Sequence, residues 1–144
     1  MTPEAARQLA ATGVDAQFWS GLGDGAVRLP QCPECDRWVW PAQPSCPGCL
    51  HAELAWRDVE PVGVVYSWTR TWYPFVAVRA ADLPYVVVLV ELPAAGNVRV
   101  LGVYAGDSAD ELVVGEPVRG QILAPSDRTY GLPSLTWARG APAG

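Results

Sequence analysis

The spacing of four cysteines constrains this chain more than any other feature of its sequence. Cys32 and Cys35 stand in Cys-Pro-Glu-Cys, Cys46 and Cys49 stand in Cys-Pro-Gly-Cys, and the chain has no other cysteine. A tetrahedral thiolate site requires two such pairs, because each pair places two sulfurs on one side of a metal ion at about 2.3 Å. The prolines favour a tight turn in each pair, and Gly48 lets the backbone fold back beneath the metal. The spacing therefore predicts a structural zinc site.

Three other interpretations of the cysteines remain open. Two disulfides would need an oxidising compartment, whereas the N-terminal residues lack the basic start and apolar stretch of a secretory signal. A dithiol redox centre would need only one pair, and neither pair stands in a thioredoxin-like strand–helix context. Iron could take the place of zinc, because a Cys₄ tetrahedron accepts either metal. We predict zinc, with iron as the alternative, in a chain that stays in the cytoplasm.

The sequence offers no set of residues for catalysis. The single histidine, His51, follows Cys49 by two residues, but four thiolates already complete a tetrahedron and leave no position for water. We therefore interpret His51 as a surface residue and the metal as non-catalytic. The chain has no Gly-x-Ser-x-Gly elbow, no P-loop and no spare cysteine, and its acidic residues are scattered singly. We predict that it does not turn over a substrate alone.

The first segment, residues 1–24, is predicted to be helical over residues 2–22. Thr2 can cap the helix, and Pro3 suits its first turn. Val14, Phe18 and Leu22 recur at helical spacing, beside Trp19. So short a helix cannot bury both aromatic rings by itself, so it must dock on the rest of the chain or on a partner.

The second segment, residues 25–59, is the predicted zinc ribbon. Strands are expected at residues 26–31, 37–41 and 53–59, before and after the cysteine pairs. A ribbon of this size lacks a core of its own, so the metal is expected to supply most of its stability. Its surface carries Trp38, Trp40 and Trp56. These side chains either cover the zinc hairpin and the junction with the next segment, or form a patch that faces a partner.

The third segment, residues 60–140, alternates between strand patterns and turns. The predicted strands cover residues 62–72, 83–92, 98–104, 118–124 and 131–137, with one helical turn at 107–112. Five strands with a helical interruption before the last pair fit a small closed barrel of the oligonucleotide/oligosaccharide-binding (OB) type. The predicted fold is therefore mainly β, with an N-terminal helix, a small zinc ribbon and a C-terminal OB barrel.

Charge and hydropathy exclude two kinds of partner. The chain has ten arginines and no lysine against fifteen acidic residues, which gives a net charge of −5. An acidic chain lacks the cationic surface that nucleic acids need for binding. The longest apolar run, residues 85–90, is far shorter than the roughly 20 residues of a membrane-spanning helix. We therefore expect neither nucleic acid nor a membrane as the main partner.

Several motifs follow one another in an order that carries a family resemblance. They are the Phe18-Trp19 helix, the two cysteine pairs, Gly63-x-Val-Tyr-Ser-Trp-Thr, Pro84-Tyr-Val-Val and Gly115-Glu-Pro-Val. Together they resemble the rubredoxin-like zinc ribbon plus OB-fold family, long catalogued only as a domain of unknown function. The resemblance extends over residues 15–137. The family usually has glycine after the second cysteine of each pair, whereas this chain has Asp36 and Leu50, which puts the geometry of these turns in question.

The resemblance implies an accessory subunit rather than an enzyme. Members of the family accompany a thiolase-fold enzyme that processes CoA thioesters: a thiolase, an acyltransferase, or the aldolase that shortens the side chain of sterol-derived acyl-CoA. It implies that Cys32, Cys35, Cys46 and Cys49 are the zinc ligands. A homodimeric catalytic subunit would carry two copies of this chain in a heterotetramer. Some members are proposed to hold the acyl-CoA in the barrel or at its mouth.

Two sets of site residues follow as expectations. The aromatic side chains of the helix and ribbon are expected to bind the partner, namely Phe18, Trp19, Trp38 and Trp40. Arginines of the barrel are candidates for the CoA phosphates, because guanidinium pairs with phosphate bidentately: Arg70, Arg79 and Arg99. The alternative functions are a stand-alone acyl-CoA carrier and, less favoured, an OB module that binds nucleic acid.

Overall fold

The N-terminal segment forms two short helices, α1 (Pro3–Thr12) and α2 (Ala16–Gly23), so the prediction of one helix over residues 2–22 is wrong. The computed structural model describes residues 1–140. Thr2 caps α1 as expected, because its hydroxyl oxygen accepts the Ala5 N–H at 3.2 Å. The backbone turns extended at Gly13 (ψ 167°) and ends α1 there. No helix in residues 1–140 is long and apolar enough to cross a bilayer.

The break between the helices changes which side chains are buried. Phe18 and Leu22 on α2 are buried, as their spacing predicts, but Val14 lies before α2 and is 51% exposed. The single-helix pattern would have placed all three on one face. Since Gly13 interrupts that pattern, Val14 is turned away from the core.

The ribbon has two strands, β1 (Val27–Gln31) and β2 (Ala55–Val59), which pair antiparallel. The predicted strand at residues 37–41 is wrong. This segment meets β1 only through an isolated bridge between Gln31 and Trp38 and through the Val39 N–H, which donates to the Pro30 carbonyl at 3.0 Å. Pro30 and Pro41 have no N–H to extend the ladder, so a third strand does not form.

Five strands form the predicted closed barrel, in the order β3-β4-β5-β7-β6. Their bounds are β3 (Val62–Thr71), β4 (Tyr85–Leu92), β5 (Val98–Tyr104), β6 (Pro117–Leu123) and β7 (Ser134–Arg139). Within residues 1–140, only β5 and β7 pair in parallel. A register shift between Val65 and Ser67 bends β3 so that it pairs with both β4 and β6. The mainly β fold with an OB-type barrel is therefore confirmed.

Short 3₁₀ helices occupy three of the connections: Ala77–Asp82, Pro93–Ala95 and Asp127–Thr129. The helical turn predicted at residues 107–112 is wrong. There the Asp107 carboxylate accepts the Ala109 N–H at 2.8 Å, which stabilises a turn in place of a helix.

The barrel core is built around one large side chain, the fully buried Trp137. Two glycines make room for it. A Cβ on Gly102 would come within 2.6 Å of the indole, and one on Gly120 within 3.1 Å. Alternate residues of β4 point inward and are buried, as they are in any strand with one face on a core. The buried set continues through Val27 and Leu29 of β1, so the barrel and the start of the ribbon share one core.

Candidate metal centre

The two cysteine pairs form turns of the same construction. In the first, the Cys32 N–H donates to the Arg37 carbonyl at 2.8 Å, and the Asp36 N–H donates to the Cys32 carbonyl at 3.0 Å. In the second, the Cys46 N–H donates to the His51 carbonyl at 3.0 Å, and the Leu50 N–H donates to the Cys46 carbonyl at 2.9 Å. Each turn thus bends its two sulfurs toward the same side, and β1 leads directly into the first of them.

The turns keep this geometry without the glycines expected from the family resemblance. Asp36 and Leu50 have φ angles of 60° and 64°, the left-handed conformation that glycine adopts most easily. A side chain makes this conformation unfavourable by about 1 kcal/mol. The side-chain amide of Gln31 supports the first turn by donating to the Asp36 carbonyl at 3.0 Å. The departure from glycine therefore carries an energetic cost but leaves the shape of both turns intact.

The four sulfurs converge on one point. All four Sγ atoms lie within 4.8 Å of one another. Across the pairs, Cys32 and Cys49 are 3.5 Å apart and Cys35 and Cys46 are 3.6 Å apart. A tetrahedral ion with metal–sulfur bonds of about 2.3 Å would separate its sulfurs by about 3.8 Å, whereas a disulfide bond measures about 2.05 Å. The arrangement is that of a structural metal site.

Backbone N–H groups point at these sulfurs and alter their proton affinities. The N–H of Cys49, helped by that of Gly48 at 3.3 Å, lowers the pKa of Cys46 to about 6. The N–H of His51 also favours the thiolate of Cys49, but the neighbouring Cys32 sulfur and burial outweigh it and raise the pKa of Cys49 to about 12. Four sulfurs this close share their protons, and a divalent cation stabilises all four as thiolates.

The site is closed to chemistry at the metal. The first cysteine of each pair, Cys32 and Cys46, is fully buried, and the second, Cys35 or Cys49, is exposed. His51 is not among the clustered ligand atoms; it contributes its backbone carbonyl to the second turn. A metal ion held by all four sulfurs would have no position left for water, so it would crosslink the ribbon rather than activate a substrate.

The aromatic side chains predicted to bind a partner lie where the helices, ribbon and barrel meet. Phe18 is only 6% exposed, and its ring packs against Trp40 at 4.7 Å and Trp19 at 5.4 Å between centroids. Trp38 packs on the turn before β5, because a Cβ on Gly96 would come within 2.9 Å of it. Phe18 therefore offers almost no surface, while the three tryptophans are only partly buried.

Two apolar grooves flank Trp19. One, of about 530 Å³, lies between the helices, β5 and residues 129–135. The other, of about 710 Å³, lies between Trp19, Trp40 and the outer face of β4 and β5. Leu101 lines both grooves and is 62% exposed. The structure thus has an apolar surface centred on Trp19 and Leu101.

Each of the three candidate arginines for CoA already has internal partners in the structure. Arg70 donates to the carbonyls of Ser108 at 2.7 Å and Asp110 at 2.8 Å. The Arg99 guanidinium lies 3.1 Å from the Glu91 carboxylate and over a tyrosine ring. The Arg79 guanidinium lies 3.6 Å from an aspartate carboxylate and over a second tyrosine ring. To bind phosphate, each guanidinium would have to exchange these contacts.

The sequence patterns do not single out one exposed segment, residues 72–75. Trp72, Tyr73 and Phe75 follow β3, and each is more than 60% exposed. Trp72 continues the alternation of the strand, so the pattern assigns it to β3. The one signal that could have separated these residues from β3 is Pro74. A proline cannot donate a hydrogen bond to a neighbouring strand, and this one lies among the three aromatic residues.

Two family models match consecutive parts of the chain. The ChsH2 rubredoxin-like zinc ribbon domain matches residues 19–55, and the ChsH2 C-terminal OB-fold domain matches residues 56–122. The chain belongs to this zinc ribbon plus OB-fold family. The family assignment agrees with the resemblance drawn from the motifs, and the zinc-ribbon match contains all four clustered cysteines.

Solved structures show the same fold. The Ltp2-ChsH2(DUF35) aldolase is similar over 88% of this chain and 94% of that chain, with a TM-score of 0.76 and 23% sequence identity. A DUF35-family protein of unknown function from Sulfolobus solfataricus is similar over 95% of this chain and 92% of that chain, with a TM-score of 0.59 and 19% identity. No curated protein sequence matches this chain significantly. At these identities the likeness establishes the ribbon-plus-barrel fold.

Proposed function

We propose that this chain is a non-catalytic, zinc-containing accessory subunit of a cytoplasmic complex that processes CoA thioesters, and that it binds a thiolase-fold catalytic subunit. The observation that carries the proposal is the structural match to the Ltp2-ChsH2(DUF35) aldolase, which extends over nearly all of both chains. The name of that structure joins a ChsH2 component with Ltp2 in one aldolase. The candidate reactions are those of a thiolase, an acyltransferase or an aldolase acting on a lipid or steroid acyl-CoA.

The chemical groups of the chain suit this supporting role. All four cysteines are gathered at the metal centre, and the single histidine lies beside it. Soft thiolate ligands in a closed tetrahedron favour zinc in a structural role. The nucleophile and the acid–base groups would come from the catalytic subunit.

The apolar surface around Trp19 is the proposed contact with that subunit. Partly exposed tryptophans at the centre of an apolar patch are typical of protein interfaces, and Leu101 extends the patch. Trp40 and Trp38 would contribute their exposed edges, while Phe18 would act from beneath by holding Trp19 and Trp40 in place. If the catalytic subunit is a homodimer, two copies of this chain would complete a heterotetramer.

A stand-alone acyl-CoA carrier is the second candidate. The 530 Å³ apolar groove beside Trp19 is large enough for an acyl chain. Against it, each candidate arginine already has partners within the chain. Calorimetry of the isolated chain with a long-chain acyl-CoA tests this candidate: heat that saturates at one site supports it, and no heat up to the solubility limit removes it.

A pull-down from the source cells tests the proposed function. We expect the tagged chain to co-elute with a thiolase-fold protein at equal stoichiometry and with one zinc ion per chain. Cys32→Ser should lose both zinc and the partner, whereas His51→Ala, beside the site but outside the cluster, should keep both. If the wild-type chain elutes alone with zinc bound, the accessory-subunit proposal fails.

A further inference from the structure

Three large aromatic side chains lie exposed between β3 and β4. Trp72, Tyr73 and Phe75 are 70%, 65% and 77% exposed, and within residues 1–140 no other aromatic side chain is more than half exposed. Burying such side chains is among the largest gains available to folding, so leaving three of them in water does nothing for the stability of this chain. We call residues 72–75 the aromatic loop.

Contacts within and next to the aromatic loop restrain its conformation. The rings of Tyr73 and Phe75 pack edge-on at 4.9 Å, and the Phe75 N–H donates to the Tyr73 carbonyl at 2.9 Å. The 3₁₀ helix that follows, Ala77–Asp82, is joined to the 3₁₀ helix Asp127–Thr129 by the ion pair between Asp82 and Arg128. Side chains positioned in advance lose less entropy when a partner covers them.

An acidic segment lies beside the aromatic loop. We call residues 107–111 the acidic loop; it contains Asp107, Asp110 and Glu111. Arg70 holds it in place through its hydrogen bonds to two carbonyls of this loop. Trp72 lines a depression of about 210 Å³ together with Arg70 and the acidic loop residues Ser108 and Ala109, so the two loops are adjacent. Within this loop the Glu111 carboxylate lies 3.5 Å from Arg70 and the Asp110 carboxylate lies 3.5 Å from Arg139, so three carboxylates face two guanidinium groups and a net negative charge remains. The Glu111 side chain is 77% exposed.

We propose that the aromatic and acidic loops form one docking surface for a protein face with an apolar pocket bordered by arginine or lysine. The inference rests on the proposed function, and the partner it names is the same catalytic subunit, which would contact these loops in addition to the surface around Trp19. Charge decides the class of partner. The acidic loop repels phosphate backbones and anionic lipid, whereas it attracts a basic protein face and speeds its association. The aromatic side chains supply the affinity, since Trp and Tyr dominate binding hot spots.

Binding measurements with the catalytic subunit that co-purifies with the wild-type chain test the inference. The double variant Trp72→Ser/Phe75→Ser should bind at least about 30-fold more weakly. The matched control Trp72→Phe/Phe75→Tyr keeps both rings aromatic and should stay within about threefold of wild type. Both variants should keep their zinc and their melting temperature, because the altered side chains are exposed.

A second pair of variants tests the charge. Glu111→Gln should slow association and weaken its dependence on NaCl concentration between 50 and 500 mM. Glu60→Gln, which removes an exposed carboxylate at the opposite end of β3, should leave association unchanged. An association rate that is equal in the two variants overturns the role of the acidic loop.

Each remaining outcome is also decisive. Wild-type affinity in the serine double variant overturns the inference while the proposed function stands. If no catalytic subunit co-purifies with the wild-type chain, both fail. If the wild-type chain, but not the serine variant, sediments with phosphatidylcholine–phosphatidylglycerol vesicles, the aromatic loop is a lipid-binding surface and the inference is wrong.

Discussion

The cysteine end of the ribbon and the barrel are stabilised in different ways. The barrel surrounds a buried set of valines, leucines and Trp137 contributed by all five strands. In the ribbon, Val27 and Leu29 join that core, but the buried apolar side chains between residues 32 and 54 are only Cys32, Val39 and Cys46. Burial of apolar area holds the barrel, while the metal must hold the turns that carry the cysteines. We therefore expect one part of the chain to fold by packing and another to fold by coordination.

Removing one cysteine sulfur should have the largest effect, because it should unfold the cysteine turns while the barrel stays folded. Cys46→Ser takes away a buried ligand and should abolish stoichiometric zinc binding, which is worth about 10–16 kcal/mol in zinc-finger peptides. We expect the amide NMR signals of residues 32–54 to collapse while those of β4 and β5 persist. His51→Ala should preserve both sets. If the turns of Cys46→Ser keep their amide protection without metal, coordination does not hold the ribbon.

Truncating a core side chain should instead destabilise the barrel. Trp137→Ala leaves a large cavity between Gly102 and Gly120 and should lower the free energy of unfolding of the barrel by about 3–5 kcal/mol. Trp72→Ala removes the same side chain from an exposed position and should change the stability by less than about 0.5 kcal/mol. Urea titrations followed by circular dichroism measure both. Equal losses in the two variants would contradict the placement of Trp137 at the centre of the core.

Acidification should reveal an electrostatic contribution within the barrel. Burial raises the pKa of Glu116, but the Val113 N–H at 2.7 Å and Arg139 at 3.0 Å outweigh it and lower that pKa below its ordinary value. A carboxylate with a lowered pKa stabilises the fold above its unfolded-state pKa and loses that contribution as the pH falls through its folded pKa. Glu116→Gln should therefore cost about 1–2 kcal/mol at pH 7.

The pH dependence supplies the check on this prediction. The difference in urea midpoint between wild type and Glu116→Gln should shrink as the pH falls from 5 toward 3, because the wild-type carboxyl then becomes neutral as well. A difference that stays constant over this range would show that the carboxylate charge contributes nothing.

Relieving strain in a cysteine turn should have the smallest effect. Leu50 adopts a left-handed conformation and is 79% exposed, so Leu50→Gly removes the strain and sacrifices little packing. We expect zinc affinity to rise by up to about fivefold in a chelator competition, equivalent to about 1 kcal/mol. Leu50→Ala keeps the strained backbone and should match wild type. An unchanged affinity in the glycine variant would mean that the turn stores no such strain.

The sequence predicts most reliably where the determining residues are close along the chain. Two cysteine pairs specify the metal site because each turn closes within six residues. The strands of the barrel follow from alternation, and Thr2 with Pro3 marks the start of α1. The errors come from local competition: Gly13 breaks one helix into two, prolines prevent a strand at 37–41, and Asp107 stabilises a turn where a helix was predicted.

Other features depend on residues distant in sequence, and no local pattern reports them. Arg70 was a candidate for CoA phosphate, but its partners Ser108 and Asp110 are about 40 positions away. The burial of Phe18 depends on Trp40 from the ribbon, and the exposure of the aromatic loop depends on the path of the chain after β3. Side-chain partnerships of this kind decide which candidate residues remain free for a ligand.

Native mass spectrometry of the tagged chain, purified from its source cells before and after treatment with a zinc chelator, tests the central claim most directly. The account predicts a complex with equal numbers of this chain and a thiolase-fold subunit, with one zinc ion per copy of this chain, and dissociation of the two proteins once the zinc is removed. A chain that carries zinc but has the mass of the monomer alone would contradict the account. So would a complex that remains intact after its zinc is gone.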